Sequence, residues 1–151
     1  MAMPYVNFLS YNSTGIDCVK TDWVSTIIET CDISFLQIQE HFKANKSTEK
    51  YFKKEIRKSD SYVIPAHRDS GQDSGRAKGG LAQISDKALD VRKERISTKS
   101  FRLWAQILYF GEFKLLWMNA YFPTDPQTVN FDQTKLIQLQ TEIEGILTMY
   151  Y

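Results

Sequence analysis

The spacing of apolar and polar residues alternates between strand-like and helix-like along the chain. Alternating or continuous apolar runs of strand length predict β-strands, and apolar residues three or four positions apart predict helices. The predicted strands cover residues 5–12, 33–39, 61–65, 80–85, 101–110 and 113–122. Three helices are predicted, one capped near Asp17, one from Ser47 to Arg57 and one over residues 130–149, while the polar residues 86–99 receive no assignment. This order predicts an α/β fold, a partial four-layer sandwich with helices outside two stacked sheets that are mainly antiparallel or mixed.

The first predicted helix has both cysteines in it or beside it. Trp23, Ile27 and Cys31, with Val24 and Ile28 beside them, form an apolar stripe at helical spacing, which predicts that this face is buried. Cys18 and Cys31 lack CxxC spacing and a nearby pair of histidines, so a metal site is not indicated there. We therefore expect both cysteines to be small buried residues of a protein from a reducing compartment. Apolar spacing also predicts an inward face for each of the other two helices: Tyr51, Phe52 and Ile56 in the second, and Leu136, Leu139, Ile143, Ile146 and Tyr150 in the third.

Two long apolar runs flank the dipeptide Gly111-Glu112. A glycine followed by any residue between two strands is typical of a hairpin with a type II′ turn. Because nearly every position of residues 101–110 and 113–122 is apolar, we expect both faces of their sheet to be covered.

Length and composition are those of an ordinary folded domain. The 151 residues suffice for one domain with its own core, and the 42% hydrophobic and 13% aromatic content argue against disorder. No apolar run approaches the ~18 residues of a membrane-spanning helix. Residues 1–4 lack the features of a signal peptide. The sequence therefore predicts a soluble intracellular protein, cytoplasmic or nuclear, with no membrane partner.

The net charge of +1 hides an uneven distribution. Residues 43–102 hold 16 of the 19 Lys and Arg and 8 of the 18 Asp and Glu, which gives +8, so the two flanks together carry −7. A basic middle segment is typical of a surface that faces phosphates. The alternative is a solvated helix face followed by a solvated loop, and for residues 43–58 this simpler interpretation is favoured.

Three predicted strands each deliver polar side chains to the end at which the strand stops. Glu40 follows the second strand, Asn12 ends the first, and Asn119 and Tyr121 lie at the end of the last. A carboxylate at a rigid strand end suits Mg²⁺, and an amide or a phenol can hydrogen-bond a phosphate. The alternatives are a surface glutamate that begins a loop, an asparagine that starts the turn Asn12–Gly15, and a core tyrosine beside a hairpin.

A glycine-rich loop supplies two further candidates. Arg76 and Lys78 lie within Gly75–Gly80 and are predicted to contact phosphate, although the loop lacks the spacing of a nucleotide-binding P-loop. His41 and His67 have no obvious partners, and no role is assigned to either.

These features form an ordered set that resembles the endonuclease/exonuclease/phosphatase superfamily. Within it, the chain is similar to the apurinic-endonuclease-type domain of non-LTR retrotransposons. The motifs that carry the resemblance are Asn12-x-x-Gly15, Leu36-Gln37-Ile38-Gln39-Glu40, Gly75-Arg76-x-x-Gly79-Gly80, Arg102-Leu103-Trp104-Ala105 and Asn119-Ala120-Tyr121-Phe122-Pro123-Thr124-Asp125.

The resemblance implies a function and a site. It implies Mg²⁺- or Mn²⁺-dependent hydrolysis of DNA phosphodiester bonds by an endonuclease of a mobile element. It implies that Glu40 binds the metal, that Asn12 supports the metal site, and that Tyr121 lies near the scissile phosphate. Asn119 is expected to orient Tyr121 or to contact substrate.

The chain also departs from the family pattern. His41 stands where a smaller residue commonly follows the glutamate, and neither the Gly-Asp-x-Asn nor the Ser-Asp-His motif follows Tyr121. The resemblance implies that an Asp–His pair activates the attacking water. We therefore expect residues 1–151 to form an incomplete domain, a truncated fragment with little activity. An uncovered sheet edge is expected to cause self-association.

Other interpretations stay open at this point. A short functional protein would have to cover its sheet edges by dimerisation. The chain could also be a non-catalytic module that binds nucleic acid or protein through its basic middle segment. A superfamily phosphatase acting on inositol phosphates or phospholipid head groups is the third possibility, because a fold does not fix a function.

Overall fold

The structure, a computed structural model, describes residues 5–44, 48–56, 59–67, 77–122 and 133–150. The helices and strands follow in the order β1 (Asn7–Asn12), α1 (Cys18–Thr30), β2 (Ile33–Gln39), α2 (Thr48–Glu55), β3 (Ser59–Ile64), β4 (Leu81–Asp86), β5 (Arg92–Ile96), β6 (Leu103–Phe110), β7 (Phe113–Ala120) and α3 (Gln133–Tyr150). The chain divides into two compact units, residues 1–90 and residues 91–151. One unit has a mixed sheet and the other an antiparallel sheet, and both have helices, so the predicted α/β class is confirmed.

The first unit contains a four-stranded sheet in the order β1-β2-β4-β3. Strand β1 runs parallel to β2, and β4 pairs antiparallel with both β2 and β3. Both helices pack on this sheet, and the shared core consists of Ile16, Val24, Leu36, Ile38, Phe52, Ile56, Ala82 and Ile84. The parallel pair aligns Asn12 with Gln39, so the chain positions of Asn12 and Glu40 are neighbours at one end of the sheet.

The second unit contains a three-stranded antiparallel sheet in the order β5-β6-β7, with α3 packed on it. Its core joins Leu103 and Ala105 of β6 to Leu139 and Ile146 of α3. The predicted hairpin is confirmed, since Phe110 pairs with Phe113 across a two-residue connection. Gly111 has a φ of 60° and Glu112 does not share this positive φ, as a type II′ turn requires.

Helix α1 buries only part of the face that its apolar stripe predicted, because Val24 and Ile28 contribute to the core whereas Trp23 and Cys31 do not. Trp23 is 48% exposed and both cysteines are exposed, so the expectation of buried cysteines was wrong. The buried side chains are Val24 and Thr21. Thr21 is tolerated in the interior because its hydroxyl donates to the carbonyl of Asp17 (2.7 Å) and lies 2.8 Å from the Tyr51 hydroxyl. The buried face of α1 therefore combines the predicted apolar residue Val24 with a polar residue whose hydroxyl has internal partners.

The faces predicted for the other two helices are confirmed in their central turns. Phe52 and Ile56 are buried in or just after α2, and Leu139 and Ile146 are buried in α3. Tyr150, which was predicted on the same face of α3, is exposed in its last turn.

Strands β5 and β7 differ from the sequence-based expectations. Residues 92–96 form β5 in a segment that received no assignment, because this charged strand is specified by its pairing with β6. In β7, Phe113 and Leu115 are 63% and 37% exposed, so the expected cover of both faces fails in the first half of the strand.

Two predicted loops, residues 67–80 and 123–128, lie largely outside the described residues. Among the helices that the structure describes, none combines the length and the apolar character needed to cross a bilayer.

Candidate functional site

Glu40 occupies the position directly after β2, where the chain leaves the sheet. It is partly buried and has a φ of 57°, in the left-handed region that a non-glycine residue rarely adopts. The backbone amide of Gly15 donates to the Glu40 carbonyl (2.6 Å), and the Ser13 hydroxyl lies within 3.1 Å of the same oxygen. Two groups from the loop after β1 thus hold the backbone of Glu40.

The same loop is bonded to both neighbours of Glu40. The amide of Ser13 donates to the carbonyl of Gln39 (2.9 Å), and the amide of Ile16 donates to the carbonyl of His41 (3.2 Å). From the other side, the Lys20 ammonium of α1 donates to the carbonyls of Ser13 (2.7 Å) and Gly15 (2.8 Å). The ends of β1 and β2 are therefore joined into one rigid piece of backbone.

Asn12 ends β1 beside Gln39 and is exposed. Its side-chain oxygen accepts a hydrogen bond from the backbone amide of Thr14 (3.2 Å), the arrangement of an Asx turn. The turn-starting role that the sequence left open is therefore present. An amide oxygen has two lone pairs, so this hydrogen bond leaves one of them for a ligand.

His41, the residue after Glu40, is fully buried. Its Nε2 lies 3.0 Å from the carbonyl oxygen of Ile64, and its Nδ1 accepts from the amide of Lys43 (3.0 Å). Burial of the ring lowers the pKa of His41 to about 4, so the ring is neutral near pH 7, with Nε2 as the donor. The expectation that this histidine has no partners was wrong. Both partners are backbone groups, which leave no signal in a sequence pattern.

The glycine-rich segment runs alongside the residues that follow β2. The carbonyl of Gly79 accepts from the amide of Phe42 (3.0 Å), and the backbones of Lys78 and His67 exchange two hydrogen bonds of 2.8 and 2.9 Å. Lys78 is exposed and directly precedes Gly79, the residue that is hydrogen-bonded to Phe42. Arg76 lies outside the described residues, so its predicted phosphate contact stays a prediction.

In the second unit, Tyr121 and Arg102 meet at the end of β7. The amide of Tyr121 donates to the carbonyl of Arg102 (2.9 Å), and the guanidinium carbon lies 4.9 Å from the Tyr121 ring centre and 5.3 Å from that of Phe101. Among the described residues, the buried Nε and Nη1 of Arg102 have no hydrogen-bond partner. Buried guanidinium donors are costly to leave unpaired, and they fit an anion that arrives from outside the chain.

Arg102 is the residue that reasoning from the sequence missed. The sequence pointed to it only as part of a motif. An arginine placed next to Phe101 and immediately before an apolar strand was the signal available, since aromatic rings stack on a guanidinium. Asn119, by contrast, is buried with 1% exposure, which fits an orienting role better than direct contact with substrate.

The oxygen donors in the first unit fit a magnesium or manganese ion that keeps most of its water. Within the described ranges no group of three or more His, Cys, Asp or Glu side chains is arranged to hold a metal. Mg²⁺ does not need such a cage, because it commonly binds through one or two carboxylates together with waters and substrate phosphates. The carboxylate in question would be that of Glu40, with the amide oxygen of Asn12 beside it.

The structure brings the predicted site residues together in two groups. Asn12 and Glu40 are neighbours in the first unit, with Lys78 on the adjacent segment, and Tyr121 lies near Asn119 and Arg102 in the second. The convergence of all of them on one site stays a prediction.

Solved structures with the same fold confirm the predicted resemblance at the level of the fold. The endonuclease domain of TRAS1, a telomere-specific non-LTR retrotransposon, gives a TM-score of 0.58 at 14% identity, covering 91% of this chain and 54% of that one. AP endonuclease LMAP from Leishmania major gives 0.63 at 13% identity, covering 96% and 47%. TDP2 from Caenorhabditis elegans gives 0.56 at 16% identity, covering 95% and 44%.

These neighbours are all members of the endonuclease/exonuclease/phosphatase fold, and this chain shares that fold. It spans about half the length of each of them. No family model matches the sequence, and no curated protein matches it.

Proposed function

We propose that this chain carries the metal-holding part of a nucleic-acid phosphodiesterase, an endonuclease that hydrolyses DNA phosphodiester bonds in a mobile element. The observation that carries the proposal is the position of Glu40. Its backbone is fixed at the end of a central strand by Gly15 and Ser13, in a fold that the chain shares with endonucleases. A rigid, partly exposed carboxylate at such a sheet end is suited to binding a divalent cation.

In this proposal, Glu40 and Asn12 hold Mg²⁺ or Mn²⁺ through their side-chain oxygens. The ion, when bound, neutralises negative charge that develops on the phosphate and the leaving oxygen. Lys20 contributes indirectly, because its two hydrogen bonds keep the loop after Asn12 against the end of β2. The chain's own task on this side of the reaction is to keep two oxygen donors in fixed positions.

Arg102 and Tyr121 bind the phosphate in this proposal. The guanidinium can donate from its buried Nε and Nη1, and its contact with the Tyr121 ring limits the directions in which it can point. The tyrosine hydroxyl donates to a phosphate oxygen, and Lys78 and Arg76 contact the backbone of the nucleic acid. Charge-assisted hydrogen bonds of this kind position the strand without reading its sequence.

A nucleic-acid-binding module without chemistry is the second candidate. The +8 charge of residues 43–102 and the buried Arg102 donors, which find no partner among the described residues, favour it, because both serve phosphate binding whether or not a bond is cut. The two candidates differ at Glu40. Hydrolysis needs the carboxylate, whereas simple binding of an anionic strand is weakened by it.

Nicking of supercoiled plasmid separates these candidates. The sequence lacks an Asp–His pair to activate water, and general-base assistance is commonly worth ~10²–10⁴-fold, so we expect the chain alone to nick slowly or not at all. A chimera that appends the downstream half of the TRAS1 endonuclease domain is expected to nick with Mg²⁺ and to stop when a chelator is added.

Glu40→Gln is the decisive variant of that chimera, and Glu112→Gln in the hairpin turn is its matched control. Loss of nicking in the first variant alone supports the proposal. Equal nicking with glutamine at position 40 would show that the metal assignment is wrong. Robust Mg²⁺-dependent nicking by the chain alone would contradict the expectation of low activity.

A further inference from the structure

We propose that His41 is a positioning residue that fixes the direction in which Glu40 presents its carboxylate. The inference rests on the proposed function, because the direction of this carboxylate matters when it holds a metal. His41 cannot be a ligand itself, since its side chain is fully buried and both ring nitrogens already have partners. Its effect must pass through the backbone to the adjacent residue.

The backbone on both sides of His41 is in a conformation that needs external support. Glu40 and Phe42 both have a φ of 57°, in the left-handed region. Two such non-glycine residues, separated by a single position, persist only when surrounding contacts determine the conformation. The residue between them is therefore the natural place for those contacts.

The imidazole ring supplies such contacts in two directions. Nδ1 accepts from the amide of Lys43, which fixes the chain after Phe42, and Nε2 donates to the carbonyl of Ile64 at the end of β3. The ring of Phe52 packs edge-on at 5.7 Å between centres. The ring therefore links the strand end that carries Glu40 to β3 and to α2.

Gly80 closes the remaining side of the ring. A Cβ on Gly80 would lie 2.6 Å from Nε2 and 2.7 Å from Nδ1 of His41, distances that real side chains do not tolerate. The glycine also has a φ of 92°, and the carbonyl of the preceding Gly79 accepts from the amide of Phe42. The Gly79-Gly80 pair thus makes room for the ring and holds the backbone beside it.

The test measures Mn²⁺ affinity of the full-length chain by the free-ion signal in electron paramagnetic resonance. Loss of a group that orients a metal ligand commonly weakens metal affinity about 10- to 100-fold, and we expect this range for His41→Leu and Gly80→Ala. His41→Asn keeps an acceptor near the Nδ1 position and should retain part of the affinity. Gly111→Ala is the matched control, because Gly111 also has positive φ but has nothing within 4 Å of its added Cβ.

General loss of stability is separated from loss of positioning by Leu139→Ala. This variant opens a cavity in the core of the second unit and is expected to leave Mn²⁺ affinity unchanged once the folded fraction is taken into account. Wild-type affinity in folded His41→Leu and Gly80→Ala would overturn the proposal.

Amide hydrogen exchange gives a readout that does not depend on metal. The amide of Gly15 donates to the Glu40 carbonyl, so its exchange should become faster in both His41→Leu and Gly80→Ala but not in Gly111→Ala. Unchanged exchange would overturn the positioning role. If Glu40→Gln bound Mn²⁺ like the wild type, the proposed function would fail, whereas the exchange result would still decide whether His41 fixes this backbone.

Discussion

Each unit has a glycine with positive φ, Gly80 in the first and Gly111 in the second, and the surroundings of these two glycines differ. Gly80 directly precedes β4 in the first unit and lies against the buried ring of His41. Gly111 lies in the hairpin turn of the second unit, and a Cβ added there would have no atom within 4 Å. Around Gly80, the segments near residues 15, 41, 66 and 79 are joined by backbone hydrogen bonds. At the hairpin, by contrast, the apolar side chains of Phe113 and Leu115 are exposed. Rigidity is therefore concentrated at the strand end that carries Glu40.

The largest contrast is expected when each glycine gains a methyl group. Gly80→Ala adds an overlap with His41 to the strain of positive φ, and we expect it to lower the free energy of unfolding by about 3 kcal/mol or more. Gly111→Ala adds only the strain and should cost about 1 kcal/mol. Urea unfolding followed by circular dichroism measures both, and equal losses would remove the distinction between the two regions.

Acid should weaken the first unit through His41. The folded-state pKa of about 4 lies below the ordinary value of 6.5, so the unfolded chain binds the proton more readily. The contribution is fully present above pH 6.5 and is lost as the pH falls toward 4. Between pH 7 and 4.5, the wild type should lose about 2 kcal/mol more than His41→Asn does.

The control for this pH dependence is His67→Gln, which changes the chain's other histidine. The side chain of His67 is exposed, so this variant shows whether the pH dependence belongs to the buried histidine. Parallel curves for wild type and His41→Asn would contradict the assignment of a neutral, buried His41.

Lys20 tests whether the loop between β1 and α1 depends on its side-chain clamp. Lys20→Met removes two hydrogen bonds to Ser13 and Gly15, each part-buried, and should cost about 1 kcal/mol. It should also accelerate amide exchange at Gly15. Lys87→Met, at an exposed position after β4, is the control and should change neither quantity. A neutral Lys20→Met would show that the backbone bonds alone hold the loop.

The exposed apolar side chains of the hairpin are expected to cause the chain to self-associate. Within the described residues β7 is an edge strand, and its exposed Phe113 and Leu115 offer an apolar pairing surface. We expect concentration-dependent self-association in analytical sedimentation, reduced in Leu115→Lys. Asn7→Lys, on the β1 edge of the other sheet, is the comparison variant. A stable monomer at high concentration would contradict this prediction.

The strands and helices were largely predictable because their periodicity is local. Six of the strands and all three helices were placed from apolar spacing, and the end of β2 at Gln39 put Glu40 in the right place. Strand β5 could not be found in this way, because its alternating charges pair with β6 only in the folded chain. Val24 on the buried face of α1 was predicted, whereas Thr21 was not, because its hydrogen-bond partners are not visible in a hydrophobic pattern.

The chain positions of Asn12 and Glu40 at strand ends could be predicted from the sequence, whereas the contacts around them could not. Asn12 ends β1 and Glu40 follows β2, and strand ends are local features of the sequence. The role of His41 depends on a carbonyl 23 residues away and on the absence of a Cβ at Gly80. The stacking of Arg102 on Tyr121 joins the residue before β6 to the residue after β7. Such tertiary contacts have no counterpart in a sequence pattern.

Binding of Mn²⁺ to the wild type and to Glu40→Gln tests the central claim most directly. The glutamine keeps the shape of the side chain and removes the charge that a divalent cation requires. We predict saturable binding of one Mn²⁺ by the wild type and by Glu112→Gln, and a loss of affinity of at least about tenfold in Glu40→Gln. Equal affinity in all three proteins, or no binding to the wild type, would contradict the assignment of Glu40 as the metal-holding residue.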